Sequence, residues 1–284
     1  MEDGFSLQDA IVGIYGLGLM GGSLALALRG YCSIIVGFDS DPSALELALS
    51  RGIVDQAETS SVKSLPRVDV LILAMPVPVI LDTLARLPAL MTEPCIVLDV
   101  GSTKRNIIAA MAALPKYFDP IGGHPICGKE NLGLENADRA LYRDAPFVVT
   151  PLERTTQRAK SAVAQIVSAV GAHLIEMSAE EQDNILATTS HLPFLLSSAL
   201  AHSTPQEFAS LIGPGFRSTS RLAGTPAHMM MGILKSNRDN VLKAIQNFLG
   251  SLNEIEAILQ TENYAELELI LKQSRNSYLA ITEH

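Results

Sequence analysis

Residues Gly16-Leu17-Gly18-Leu19-Met20-Gly21 form a G-x-G-x-x-G stretch. The spacing alone is weak evidence, but here it follows the β-prone run AIVGIYG (10–16) and opens a helical pattern over 19–30. In that setting Gly16 permits a tight turn, Gly18 lets a pyrophosphate approach the backbone, and Gly21 lets helix and strand pack closely. Leu19 and Met20 fall in the first helical turn, where phosphate meets the helix N-terminus. Asp39 ends the next apolar run, SIIVGFD (33–39). A carboxylate there accepts hydrogen bonds from the adenine-ribose hydroxyls of NAD and repels the extra phosphate of NADP. Ser40 and Asp41 bring no positive charge to hold that phosphate, so NAD is the expected cofactor.

A second group could do proton chemistry. His124 lies in IGGHPICGKENLG (121–133), among glycines and prolines that disfavour helix and central strand, so the stretch is expected to be a loop. An imidazole with an ordinary pKa near ~6.5 is a competent base at neutral pH. The competing reading is a loop histidine satisfied by backbone. Cys127 is near enough in sequence for a nucleophilic Cys–His pair, but nothing around it would activate the thiol. Further polar segments sit where loops should be: DVGSTK (99–104), TTSHLPF (188–194) and GFRSTSR (215–221).

The elements that must carry these residues follow from periodicity. Continuous apolar runs at 10–16, 33–39, 68–76, 94–102, 146–151 and 172–178 fit strands buried on both faces of a parallel sheet. Helical patterns separate them, including 41–52, which opens with Asp41 as cap and Pro42 at the first position. This alternation predicts an α/β, Rossmann-type doubly wound sheet. After residue 178 the pattern becomes all-helical, starting at Ser178 with Glu181 at capping-box spacing. The chain is therefore divided into a dinucleotide-binding domain over 1–178 and an all-α domain over 179–284. The stretch 226–260 is expected to be helical, and its apolar surface suggests a homodimer.

Composition narrows the class. The 284 residues are 48% hydrophobic and 18% charged, with net charge −9, which fits a globular protein and disfavours a nucleic-acid partner. The apolar runs fall short of the ~18 residues of a membrane span, the opening segment MEDGFSLQDA is not a signal peptide, and no metal-ligand spacing is present. Three cysteines outside any C-x-x-C pair suit a reducing compartment, so the expected location is cytoplasmic.

GLGLMGGSLA, DVGSTK, GGHPICGKE, SHLP and GFRSTSRLA occur in an order that resembles the prephenate and arogenate dehydrogenases of tyrosine biosynthesis, over about residues 10–260. The resemblance implies NAD-dependent oxidative decarboxylation of a cyclohexadienol, prephenate or arogenate. It implies that His124 accepts the proton of the ring hydroxyl, that Ser102 hydrogen-bonds both His124 and that hydroxyl, and that Arg221 holds a substrate carboxylate. His191 would line the substrate pocket and Glu130 would stand at its entrance. Each has a structural alternative. Ser102 or Thr103 would alternatively be a helix cap, and His191 a buried residue in a helix kinked by Pro193. Lys104 is expected to be a solvated first-turn residue and Arg217 to form a structural ion pair. Two positions depart from many relatives: Phe194 replaces a second histidine, and Met229 replaces a tryptophan. A β-hydroxyacid dehydrogenase would need a catalytic lysine near 165–185, where none occurs. A non-catalytic NAD-sensing protein would need the glycine loop but not His124, Ser102 and Arg221.

Overall fold

In the computed structural model, residues 4–59, 65–129 and 131–282 are described. The apolar runs become strands β1 (Ile11–Tyr15), β2 (Ile34–Asp39), β3 (Gln56–Thr59), β4 (Val70–Leu73), β5 (Cys95–Asp99), β6 (Phe118–Pro125), β7 (Pro146–Pro151) and β8 (His173–Glu176). They form one sheet in the order β3-β2-β1-β4-β5-β6-β7-β8. From β3 to β6 every pairing is parallel, so the carboxyl ends of these strands share one edge. The β6–β7 pair is antiparallel, and β8 runs parallel to β7.

Alternate side chains of a strand enter opposite faces of the sheet. On β4, Val70 and Ile72 join one core with Val12, Ile14, Leu24 and Leu28. Leu71 and Leu73 join the other, with Val36, Phe38, Ile80 and Leu84. Helices α1 (Leu19–Leu28), α2 (Pro42–Ser50), α3 (Val77–Leu90), α4 (Arg105–Ala112) and α5 (Gln157–Ala169) cover the sheet. Asp41 caps α2 through the Ser43 N–H, with Pro42 in the first turn.

The chain is helical from Ala179 onward: α6 (Ala179–Leu186), α7 (Leu192–Ser203), α8 (Pro214–Ser220), α9 (Ala227–Ser236), α10 (Arg238–Gln260) and α11 (Tyr264–Thr282). Ser178 and Glu181 form the reciprocal capping box. A single π-helical turn, Ala187–His191, joins α6 to α7. Pro193 accounts for it, since proline lacks the N–H and its ring crowds the carbonyl four residues earlier. The anticipated kink at Pro193 is thus an inserted residue. The stretch 226–260 is two helices rather than one, interrupted at Asn237. Buried apolar residues in this half are few, with Ala187, Leu192, Val241 and Ala244 clustering together. Leu242, Leu249, Leu252, Leu269 and Leu271 are exposed on α10 and α11.

The segment around His124 corrects the expectation of a loop. Residues 118–125 form an interior strand, and His124 pairs in register with Val148. Its glycines serve packing. A Cβ on Gly122 would lie 2.7 Å from Ile108 and 3.3 Å from Cδ of Lys104, and one on Gly123 would lie 2.7 Å from the Asp99 carbonyl oxygen. Small residues allow α4 and the Lys104 stem to lie against the strand.

Candidate active site

The glycine loop connects β1 to α1. Gly16 has φ +98°, and a Cβ there would meet the Ala74 carbonyl oxygen at 2.6 Å. A Cβ on Gly21 would sit 1.8 Å from the Gly16 carbonyl oxygen. Space next to Gly18 is open, and no side chain caps α1. Leu19 is buried, and the Met20 carbonyl accepts the Tyr142 hydroxyl at 2.7 Å. An open glycine before an uncapped helix N-terminus fits a dinucleotide pyrophosphate. Asp39 stands at the end of β2 and binds the same loop: its Oδ2 accepts the Leu17 N–H at 2.7 Å, and its Oδ1 accepts the Asp41 N–H at 2.9 Å. Asp39 therefore shapes the glycine loop as well as standing where a ribose would be read.

His124 lies near the carboxyl end of β6, on the sheet edge that carries the glycine loop. It is buried, and its Nδ1 has no hydrogen-bond partner among the described residues. Burial, then the charge of Lys104, then His191 hold its pKa down at about 3. The imidazole is thus neutral through the physiological range, well below the ordinary value expected from sequence.

Beneath it lies a pair that sequence reasoning missed. Lys104 is fully buried and its ammonium bonds the Asp99 carboxylate, so it is not a solvated first-turn residue. Asp99 also accepts the Gly101 N–H at 2.8 Å and the Gly123 N–H at 3.2 Å. Burial pushes Asp99 up and pulls Lys104 down, and each partner's charge opposes the shift in the other. The five-residue separation on either side of Ser102 was the only signal of it in the sequence.

Ser102 is half-buried in the β5–α4 connection, on the same corner, with no hydrogen bond to His124 among the described residues. Neither it nor Thr103 caps α4. Thr103 shares a 2.8 Å hydrogen bond with Ser236, and the first amides of α4 are capped from another helix. Asp183 on α6, fully buried, accepts the Lys104 N–H at 2.7 Å and the Arg105 N–H at 3.0 Å. The Asp183 carbonyl in turn accepts Nδ2 of Asn237 at 2.6 Å, and that nitrogen lies 3.3 Å from Nδ1 of His191. His191 is buried in the π turn, and burial holds its pKa down at about 4.

The structure thus brings His124, Lys104, Asp99 and His191 to one buried corner. Arg221 is exposed on the wall of a cavity of about 630 Å³, with Gly128, Lys129, Asn131, Thr225 and Met229. That cavity opens between the connection following His124 and the start of α9. Phe194 is half-buried on α7. Arg217 donates to the Ile212 carbonyl at 3.5 Å, and the anticipated ion pair does not form among the described residues. Glu130 lies outside the described residues. Cys127 is half-buried, and burial pushes its thiol up to about 11, the opposite of activation. No cluster of metal-ligating side chains occurs among the described residues, and no described helix is long and apolar enough to cross a membrane.

Comparison with known proteins adds the chemical context. Residues 24–176 match the family model for the prephenate dehydrogenase nucleotide-binding domain, and residues 178–273 match the prephenate dehydrogenase dimerization domain. The chain is 29% identical over 282 residues to a prephenate dehydrogenase of Bacillus subtilis, covering 95% of this chain and 75% of that protein. Among solved structures it is similar to the prephenate dehydrogenase of A. aeolicus in complex with hydroxyphenyl propionate and NAD+, with TM-score 0.88 and 31% identity over 98% of this chain and 100% of that one. It is also similar to the Synechocystis arogenate dehydrogenase, with TM-score 0.82 and 29% identity over 96% of this chain and 100% of that one.

Proposed function

The chain belongs to the prephenate dehydrogenase family, and from that premise we propose that it oxidatively decarboxylates prephenate to 4-hydroxyphenylpyruvate and CO2 with reduction of NAD. The observation that carries this reading is the neutral, buried His124 at the carboxyl end of β6, on the strand edge that also carries the Gly16–Gly21 loop.

Gly16, Gly18, Leu19, Met20 and Gly21 would cradle the pyrophosphate, and Asp39 would accept the ribose hydroxyls. Bound there, the oxidised nicotinamide supplies a hydride acceptor. His124 holds the ring hydroxyl and takes its proton as the carbon bearing it loses hydride and becomes a carbonyl carbon. The ring carboxylate then leaves as CO2, its bonding pair enters the ring, and the oxygen regains a proton to become the phenol. Ser102 orients the hydroxyl, His191 contacts the substrate, and Arg221 holds a carboxylate through its planar fork. Glu130 is assigned to the pocket entrance. Burial, and after it the charge of Lys104, keeps His124 unprotonated before the substrate binds. We further assign residues 1–178 to the dinucleotide domain and 179–284 to substrate binding and homodimer formation, the latter supported by the exposed leucines of α10 and α11.

Arogenate is the second reading. It is supported by the likeness to the Synechocystis enzyme, and Phe194 and Met229, which stand where many prephenate-using relatives carry a histidine and many members carry a tryptophan, leave the choice between the two substrates open. Following NADH absorbance with the two substrates side by side separates the readings. His124→Asn should lose most turnover while retaining dinucleotide binding. Absence of NADH formation with either substrate would overturn the proposal.

A further inference from the structure

We propose that Asn237 is a positioning residue of this site: its side-chain amide fixes the tautomer of His191, keeping the ring proton on Nε2 so that His191 meets the substrate as a hydrogen-bond donor. The inference rests on the reading that His191 contacts the substrate.

The amide orientation is dictated by its surroundings. Asn237 is fully buried at the break between α9 and α10. One of its side-chain atoms is 2.6 Å from the Asp183 carbonyl oxygen, which only accepts, so that atom must be the NH2 nitrogen. The opposite end, Oδ1, accepts Nδ2 of Asn240 at 2.9 Å. Turning the amide over would set two carbonyl oxygens against each other. The nitrogen has two hydrogens. One goes to Asp183, and the other is directed to His191 Nδ1, 3.3 Å away. A ring nitrogen facing a donor must present its lone pair, so Nδ1 is unprotonated and a neutral ring carries its hydrogen on Nε2. Burial agrees, since it holds the second proton off until about pH 4.

The choice of tautomer matters for a cyclohexadienol with two carboxylates. Apart from the ring hydroxyl, the oxygens of prephenate only accept. An Nε2 lone pair would repel them; an Nε2–H bonds them. The charged and titratable groups around the corner are His124 on β6, the Lys104–Asp99 pair at α4 and β5, and Asp183 on α6. Asp183 is committed to the α4 amides and to Arg105, so Asn237 is the group that decides the state of Nδ1.

The test begins with the unaltered full-length protein, labelled with 15N-histidine and free of substrate. His191 is assigned by the signal lost in His191→Gln. The expected spectrum is a single neutral Nε2–H tautomer that stays constant from pH 6 to 9; a dominant Nδ1–H form, or a mixture, would overturn the proposal. In Asn237→Asp the carboxylate demands a proton on Nδ1. His191 should then titrate above its ordinary value, and kcat/KM should gain a basic limb absent from the parent, falling about tenfold as the cation becomes the Nδ1–H form. Asn237→Ala covers the case in which the aspartate variant does not fold, and it should show mixed tautomers. A parent-like tautomer in Asn237→Ala would assign the preference to another group and overturn the role of Asn237. Because the spectra need no substrate, an expected tautomer with no NADH from prephenate or arogenate would refute the enzymatic reading alone.

Discussion

Oδ1 of Asp99 accepts the backbone N–H of Gly123 at 3.2 Å, one residue before His124. Its other oxygen takes the Gly101 N–H and the Lys104 ammonium. One buried carboxylate therefore ties together the end of β5, the connection that carries Ser102, and the strand that carries His124. Lys104→Met would leave that carboxylate charged and unpaired, at a cost of about 3–5 kcal/mol. The double variant Asp99→Asn/Lys104→Met should recover a large part of the loss. Chemical denaturation checks both, and a single variant within about 1 kcal/mol of the parent would contradict the pairing.

Acid sensitivity follows from the two buried histidines. Their folded pKa values, about 3 for His124 and about 4 for His191, lie below the unfolded value near ~6.5. Between those limits the unfolded chain binds protons that the native chain refuses, so stability falls as pH drops below ~6.5. Each histidine adds a slope of at most about 1.4 kcal/mol per pH unit in that window. Replacing His191 with glutamine should flatten the decline measured by thermal unfolding from pH 7 to 4.5. An unchanged slope would count against its buried neutral state.

The glycine loop separates packing from binding. Gly18 has open space at the Cβ position and φ −80°, so Gly18→Ala should fold with nearly parental stability yet bind NAD far more weakly. Gly21→Ala places a methyl group against the Gly16 carbonyl oxygen and should lower stability by several kcal/mol, in line with overpacking of a tight contact. Calorimetric binding and thermal unfolding on the two variants should give opposite patterns.

Association is expected through α10 and α11. Leu249 and Leu252 on α10 are about half exposed. Exposed leucines along helices with so small a core of their own would be covered by a second copy of the chain. Leu249→Lys with Leu252→Lys should convert a dimer to monomers in sedimentation velocity. A monomeric parent at micromolar concentration would refute the expectation.

Sequence was informative where local chemistry dictates structure. The Gly16–Gly21 turn, the Asp41 and Ser178 caps and the two-sided strands each follow from residues a few positions apart. It misled where partners are remote. Gly122 and Gly123 suggested a loop because glycine and proline usually break strands; only the packed Lys104 stem, Ile108 and Asp99 explain them. Lys104 suggested a solvent-facing helix start because its spacing from Asp99 does not by itself reveal that both side chains are buried together. Asp183 and Asn237 were missed because one caps a helix 79 residues away and the other breaks an apolar helical pattern. An asparagine in the middle of such a pattern is the signal that could have found it.

The cap that Asp183 places on α4 also sets a schedule for synthesis. Residues 104 and 183 are 79 positions apart. At ~5–20 residues per second, a ribosome needs roughly 4–16 s to add the second after the first. During that interval β6, β7 and β8 are also being added, the first amides of α4 lack their Asp183 partner, and the Thr103 hydroxyl waits still longer for Ser236. Asp183 follows β8, the last strand, so the β5–α4 corner is completed only after every strand of the sheet has been made, and translation of α6 would be the event that closes it.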